Sequence, residues 1–316
     1  MNKLFLSTPS KSFFLLLLSS VAFICCKKSD PVAVGPGTIT AQVSSGSNFT
    51  LLKSAVIKAG LASTLDGTGN FTVFAPTDEA FTSSGVTSGV IGSLSVDQLK
   101  KILLDHTLTS KILAAAVPAG PNAKVVTASG DSIFVTKNSN GVYVNGVNVT
   151  MADLPASNGV IHTMSKVLLP ATGNIVELAS SDTAFSFLVA AVLRASTGGT
   201  NVAAILSGPG ILTVFAPVNN AFRALGFTTI DAINAADPNA LTAILTYHVV
   251  PGRVFACDLS NGIQAATANG AKLTIGIAGS AASVKGLSNP TASAIIGTNI
   301  MATNGVVHVI DHVLLP

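Results

Sequence analysis

Adjacent carboxylates are where proton chemistry would start, and Asp78-Glu79 is the single adjacent acidic pair in the sequence. General acid–base catalysis needs two ionisable groups held in different environments. The pair stands in TVFAPTDEAF (Thr72 to Phe81), and the phrase returns 141 residues on as TVFAPVNNAF (Thr213 to Phe222), identical at seven of ten positions. There Asn219-Asn220 replace the acids, and amides exchange no protons. Asp and Asn are nearly equal as helix N-caps, each offering an oxygen to exposed N–H groups. We therefore expect Asp78 to cap a helix beginning near Ala80-Phe81, after a strand stopped by Pro76, and to have no catalytic role.

The five histidines are the next candidates. His106 and His248 follow apolar helical faces, a setting for hydrogen bonding within a core. His162 and His308 occupy the same place in two copies of a β-rich segment, which again points to architecture. His308 and His312 have the spacing of a helical metal pair, but Val306, Val307, Val309, Ile310 and Val313 make that segment a strand. Lys166 stands where His312 does in the other copy, and no third ligand is evident, so no metal is expected. Cys257, in VFACDL, reads as a small buried filler. No G-x-S-x-G elbow, Walker loop or H-E-x-x-H occurs, so neither an enzyme nor a cofactor is expected. Asn48-Phe-Thr and Asn148-Val-Thr match glycosylation acceptors, read as chance matches beside the N-terminus described next.

Of 316 residues, 48% are apolar and 10% charged, which excludes a disordered chain. One long apolar run exists, Phe13 to Cys26, preceded by Lys3 and Lys11. It is too short to cross about 30 Å of hydrocarbon and reads as the apolar region of an export signal. The run ends at Cys25-Cys26 and resembles the lipobox of bacterial lipoproteins, in which a Cys after a small residue is acylated. Cys26 follows small Cys25, whereas Cys25 follows Ile24, so Cys26 is the expected lipid attachment and the membrane anchor. Removing Lys3 and Lys11 from a formal net charge of +3 leaves +1, so there is no basic stripe to bind nucleic acid.

Four markers recur in the same order. Asn48 to Ala59 resembles Ala184 to Ala195; the VFAP phrase follows; LLDHTL at Leu103 matches LTYHVV at Leu245; and NGVIHTMSKVLLP from Asn158 matches NGVVHVIDHVLLP from Asn304. The offset grows from 136 to 141, 142 and 146, as when surface loops lengthen. This period means tandem domains. The expected organisation is a signal over 1–26, a linker over 27–37, and domains over 38–170 and 171–316 held in a fixed orientation by a short join.

Each copy reads as α+β. Phe49, Leu52, Val56 and Ala59 recur at helical spacing. Ser95 to Gln98 fits a capping box, opening a helix with Leu99, Ile102, Leu103 and His106 on one face. Asp237-Pro238 opens the corresponding helix in copy two. The later halves are strand-rich, and Asn158-Gly159 and Asn304-Gly305 suit tight hairpins with positive φ.

TVFAPTDEAF, a central His after a helix, and NGVIH…VLLP resemble the signatures of the fasciclin (FAS1) domain, and they occur twice. The resemblance implies two tandem domains, each a β-wedge packed against several α-helices. It also implies extracellular adhesion to matrix proteins, cell-surface proteins or glycans. It makes Tyr247-His248 the candidate adhesion motif, with His106 as its counterpart; copy one has Asp105 in place of the Tyr. The expected protein is a lipid-anchored adhesion module of the cell envelope, at the outer membrane or cell surface, whose partner is an extracellular protein or a glycan. A carbohydrate-capture lipoprotein and a structural spacer are the alternatives, the former weakened by the lack of Trp and by only two Tyr. Labelled palmitate should enter the wild-type protein and vanish in Cys26→Ser; label that persists there and vanishes in Cys25→Ser moves the attachment to Cys25.

Overall fold

The computed structural model describes residues 35–316. The export signal, Cys26 and most of the linker lie outside the described residues. Copy one opens with α1 (Ile39–Ser45), α2 (Thr50–Lys58) and α3 (Ala62–Asp66), then β1 (Phe71–Pro76). Next come α4 (Asp78–Ser83), α5 (Ser88–Ser93) and α6 (Val96–Asp105), followed by β2 (Thr107–Leu108). The rest is strand: β3 (Gly120–Val126), β4 (Ser132–Asn138), β5 (Gly141–Val144), β6 (Val147–Ala156) and β7 (Gly159–Met164).

Copy two repeats the order with α7 (Ile175–Ser181), α8 (Ser186–Ala195), α9 (Val202–Ser207), β8 (Leu212–Pro217), α10 (Asn219–Ala224), α11 (Ile230–Asn234) and α12 (Pro238–Tyr247). Its strands are β9 (Val249–Pro251), β10 (Gln264–Ala266), β11 (Lys272–Ala278), β12 (Ala281–Lys285), β13 (Ser293–Ala302) and β14 (Gly305–Ile310). Each copy has one seven-stranded sheet of the same topology, β2-β1-β7-β6-β5-β4-β3 and β9-β8-β14-β13-β12-β11-β10. All neighbours are antiparallel except β1 with β7 and β8 with β14. Among the described residues no single helix is long and apolar enough to cross a membrane.

The pleat sends alternate residues of β1 to opposite sides. Val73 and Ala75 join the helical core with Leu52, Val56, Leu99 and Leu103. Phe74 joins a second core inside the wedge with Ile133, Val135, Val144 and Met164. Copy two has the same pair of cores, with Val214 on one side and Phe215 on the other. Both helix-opening signals are present as expected: Ser95 and Gln98 form a reciprocal capping box, and Asp237 caps a helix whose first residue is Pro238.

Two local expectations are corrected. Asn158, Gly159, Asn304 and Gly305 do not have positive φ; the Asn-Gly pair that does is Asn145-Gly146, between β5 and β6. Gly159 is needed for a different reason. A Cβ there would strike the Phe71 carbonyl on β1, and one at Gly305 would strike that of Leu212 on β8. The Asn side chains serve as staples. Asn158 accepts from the Ile39 N–H and donates to the Leu65 and Gly67 carbonyls. Asn304 does the same with Ile175, Leu206 and Gly208.

The second correction concerns Asp78. Its own helix is capped by Thr77, whose hydroxyl accepts from the Ala80 N–H. Asp78 reaches across instead to the start of α2, accepting from the Thr50 N–H and hydroxyl and from the Leu51 N–H. Burial pushes its carboxyl up, and these bonds outweigh that and hold it below the usual value. Asn219 plays the same part, accepting from the Phe187 N–H at the start of α8 and donating to the Thr183 carbonyl. The cap is real, but it joins two helices. In urea titrations Asp78→Ala should lose about 1 kcal/mol or somewhat more. Asp78→Asn should lose less, because one amide oxygen still serves α2; equal losses would remove the cap from the account.

Candidate functional site

The helices that end in His106 and His248 place both imidazoles in the core, each 2% exposed. His106 Nδ1 lies 2.7 Å from the Ile102 carbonyl, and Nε2 accepts from the Leu168 N–H at 2.9 Å. His248 makes the same pair of bonds with Ile244 and Leu314. Each ring is therefore a neutral tautomer protonated at Nδ1, tying the end of a helix to the closing VLLP segment. Tyr247 is wholly buried, its hydroxyl donating to the Lys272 carbonyl and accepting from the Leu287 N–H. Tyr247, His248 and His106 thus present no surface to a partner, and the contact role expected of them becomes a core role.

Asp105, in the place of Tyr247, is also buried and bonded to the hydroxyls of Thr127 and Ser129. Burial raises its carboxyl above the usual range, with Asp131 adding to the shift. His162 and His308 bridge strands to loops, with Nε2 2.9 Å from the carbonyls of Ile112 and Val254 respectively. His312 is exposed and paired with Asp311, in surroundings unlike those of buried His308. Cys257 is partly buried, and burial and the neighbouring Asp258 push its thiol up to about 12, so it stays protonated and unreactive.

The residues that do meet across space lie at the junction of the two domains, and the sequence did not single them out. The Arg253 guanidinium sits 4.2 Å from the centre of the Phe134 ring and donates to the Gly305 carbonyl. Asp258 accepts from Thr136 and Asn122 of the first domain. Asn122 also donates to the Arg253 carbonyl, and Asn138 to that of Cys257. Asn299, at a bulge in β13, donates to the Gly146 carbonyl at 3.0 Å. One signal was available. Copy one has Lys111, Ala115, Ala116 and Asp153 where copy two has Arg253, Cys257, Asp258 and Asn299, and such differences mark what only one copy must do.

Two clefts flank this junction. One, of about 650 Å³, has Tyr143, Asn148, Ser165 and Lys166 on its first-domain wall and Thr298 and Ile300 on the other. The second, of about 430 Å³, exposes Lys101, Lys124 and Asp131, with Lys101 and Asp131 paired at 2.9 Å. Both offer a mixed polar surface suited to hydrogen bonding. Among the described residues no group of three or more His, Cys, Asp or Glu side chains is arranged to hold a metal.

Burial lowers the pKa of both His106 and His248 to about 4 from 6.5. Between those values the unfolded chain binds more protons, so this stability is complete above about pH 6.5 and is lost as pH falls to about 4. Asp105 opposes the trend, since a raised carboxyl favours the folded state at low pH. His248 therefore gives the clearer test. The urea midpoint of the wild type should fall across this window, and His248→Gln should flatten the fall; an unchanged slope in the variant would assign it elsewhere.

The fasciclin domain model matches residues 47–170 and 184–316. Transforming growth factor-beta-induced protein ig-h3 of Sus scrofa is 29% identical over 255 residues, covering 80% of this chain and 35% of that protein. Human periostin is 27% identical over 258 residues, 80% of this chain and 29% of its own length. The chain thus spans about a third of these relatives. Protein sll1483 of Synechocystis is 38% identical over 143 residues, 45% of this chain and 73% of that protein. A solved FAS1 domain pair from the insect cell adhesion molecule Fasciclin I aligns over 83% of this chain and 95% of its own, at 17% identity and a TM-score of 0.42. Two ordered sets of signatures, folded into two sheets of one topology, coincide with the two stretches that the domain model matches: the chain is a member of the fasciclin family, carrying its domain twice in tandem.

Proposed function

We propose that the chain is a non-enzymatic adhesion protein, held at the cell envelope by a lipid on Cys26 and binding an extracellular protein or glycan. The observation that carries this reading is the fate of the reactive side chains. His106, His162, His248 and Tyr247 spend their polar atoms on backbone groups, and Asp78 spends its carboxylate on a helix start. What remains for a partner is surface, and the larger junction cleft is the roomier of the two clefts there. Membership of a family associated with extracellular adhesion supports the same reading, as does the export signal read from residues 13–26.

Contact falls on the Tyr143 and Lys166 wall. A half-buried Tyr gives a rigid apolar face with a polar tip, and Lys adds a mobile donor. The test is a panel of matrix proteins and a glycan array, probed with wild type and with Tyr143→Ala/Lys166→Glu. A retained partner should bind the variant about tenfold or more weakly while its urea midpoint is unchanged. Binding that is equal in both proteins would move the contact off this cleft, and binding to neither panel would favour a spacer role.

A further inference from the structure

The second domain contains an apolar cavity of about 120 Å³ between α7, α8 and the sheet. The corresponding crevice in the first domain, between α1 and α2, holds about 60 Å³. The matched bonds of Asn158 with Ile39 and Leu65, and of Asn304 with Ile175 and Leu206, fix which residues correspond. On that correspondence the enlargement has identifiable causes. Ala179 stands where the first copy has Val43, and Val307 where it has Ile161 on the paired closing strand. The floor and one wall are therefore cut back by about three methyl-sized groups in all.

The rim changes in the same direction. The first copy lines its crevice with Thr40 and Lys53, whose ammonium lies 3.4 Å from the Ser44 carbonyl, and carries half-buried Gln42 beside them on α1. The second copy has Val176, Leu178 and Val189 at those positions, all half-buried. A void left by chance would gain no advantage from a rim on which three polar side chains have become apolar and Ser180 alone matches a polar residue of copy one. Wall and rim together make a dry, reachable pocket. We infer that this cavity is a binding site for a small neutral apolar molecule, an aryl ring or a short alkyl group, taken from solution. Apolar cavities of about 150 Å³ stay empty of water and admit benzene, which sets the scale of the guest. No charged or hydrogen-bonding group is required of it, because His248 spends both ring nitrogens on Ile244 and Leu314 and the one other polar lining residue, Ser180, is exposed to solvent.

Benzene is the probe, titrated into the full chain carrying ¹³C-labelled methyl groups. The methyls of Leu178, Val189 and Leu206 should shift together and saturate, and the thermal midpoint should rise with benzene concentration, as for any ligand of the folded state. Val176→Thr/Leu178→Gln/Val189→Lys, which restores the rim of copy one, should weaken binding about tenfold or more. Ala179→Val/Val307→Ile fills the cavity from within using the residues of copy one, and should abolish binding while keeping or raising stability. Benzene shifts that are absent, that lie elsewhere, or that survive both variants would overturn the site. If the same methyls respond to phosphatidylcholine vesicles and not to benzene, the face is a membrane contact and the inference fails.

Discussion

The buried amides of Asn158 and Asn304 hold this fold together, because each is the meeting point of elements distant in sequence. A single side chain accepts from the first helix of its domain and donates to two carbonyls at the end of the third. It does so from the turn that launches the closing strand. That strand pairs in parallel with β1, an arrangement whose connection must be long, and here all the intervening helices and strands form it. Removing the amide would leave one N–H and two carbonyls buried without partners, each at a cost of about 1–3 kcal/mol. The adjacent Gly completes the constraint by letting the turn press against the carbonyl that ends the approach of β1.

The histidines extend the same principle. A neutral imidazole can donate from one nitrogen and accept at the other, so it can join two backbone groups in the interior without carrying a charge. His106 and His248 use this to hold the final segment of each domain against the end of α6 or α12. Asp78 and Asn219 act likewise at the other end of the helical layer, joining the starts of two helices. Side chains that resemble catalytic groups are consumed as connectors. On the proposed function, recognition then falls to the outer surfaces and to the places where the two copies have diverged.

Much of this was legible in the residues. The duplicated VFAP phrase, the Ser95 capping box and the Asp237-Pro238 start each have a local cause, and local causes can be read from neighbours in the chain. The chemistry of Asp78 was half legible. Its replacement by Asn219 showed that an oxygen mattered and a charge did not, but the helix it serves lies 27 residues upstream, reached only through the fold. Asn158-Gly159 misled in the same way: the pair has the composition of a positive-φ turn, whereas its real constraint comes from β1 passing close by. Tyr247 looked like a contact because the family motif points to it, and burial depends on strands that arrive later in the chain. The junction left one trace, the divergence of the copies at Arg253 and Asp258, but these residues and Asn122 gain meaning only when two domains meet.

The junction also decides how many units this arrangement can hold. Head-to-tail docking of similar bodies, repeated without closure, produces an open filament. Here the docking set, Arg253, Asp258 and Asn299, belongs to the second copy, and its receiving set, Asn122, Phe134, Thr136 and Asn138, to the first. At the positions corresponding to the receiving set, the second copy carries Gly262, Thr274, Gly276 and Ala278, which offer neither ring nor amide. The first copy likewise has Ala116 and Asp153 where docking needs a carboxylate and an amide donor. Divergence after duplication has made plug and socket different parts, so a molecule whose own halves are docked has no second plug or socket of this kind left to offer a neighbour.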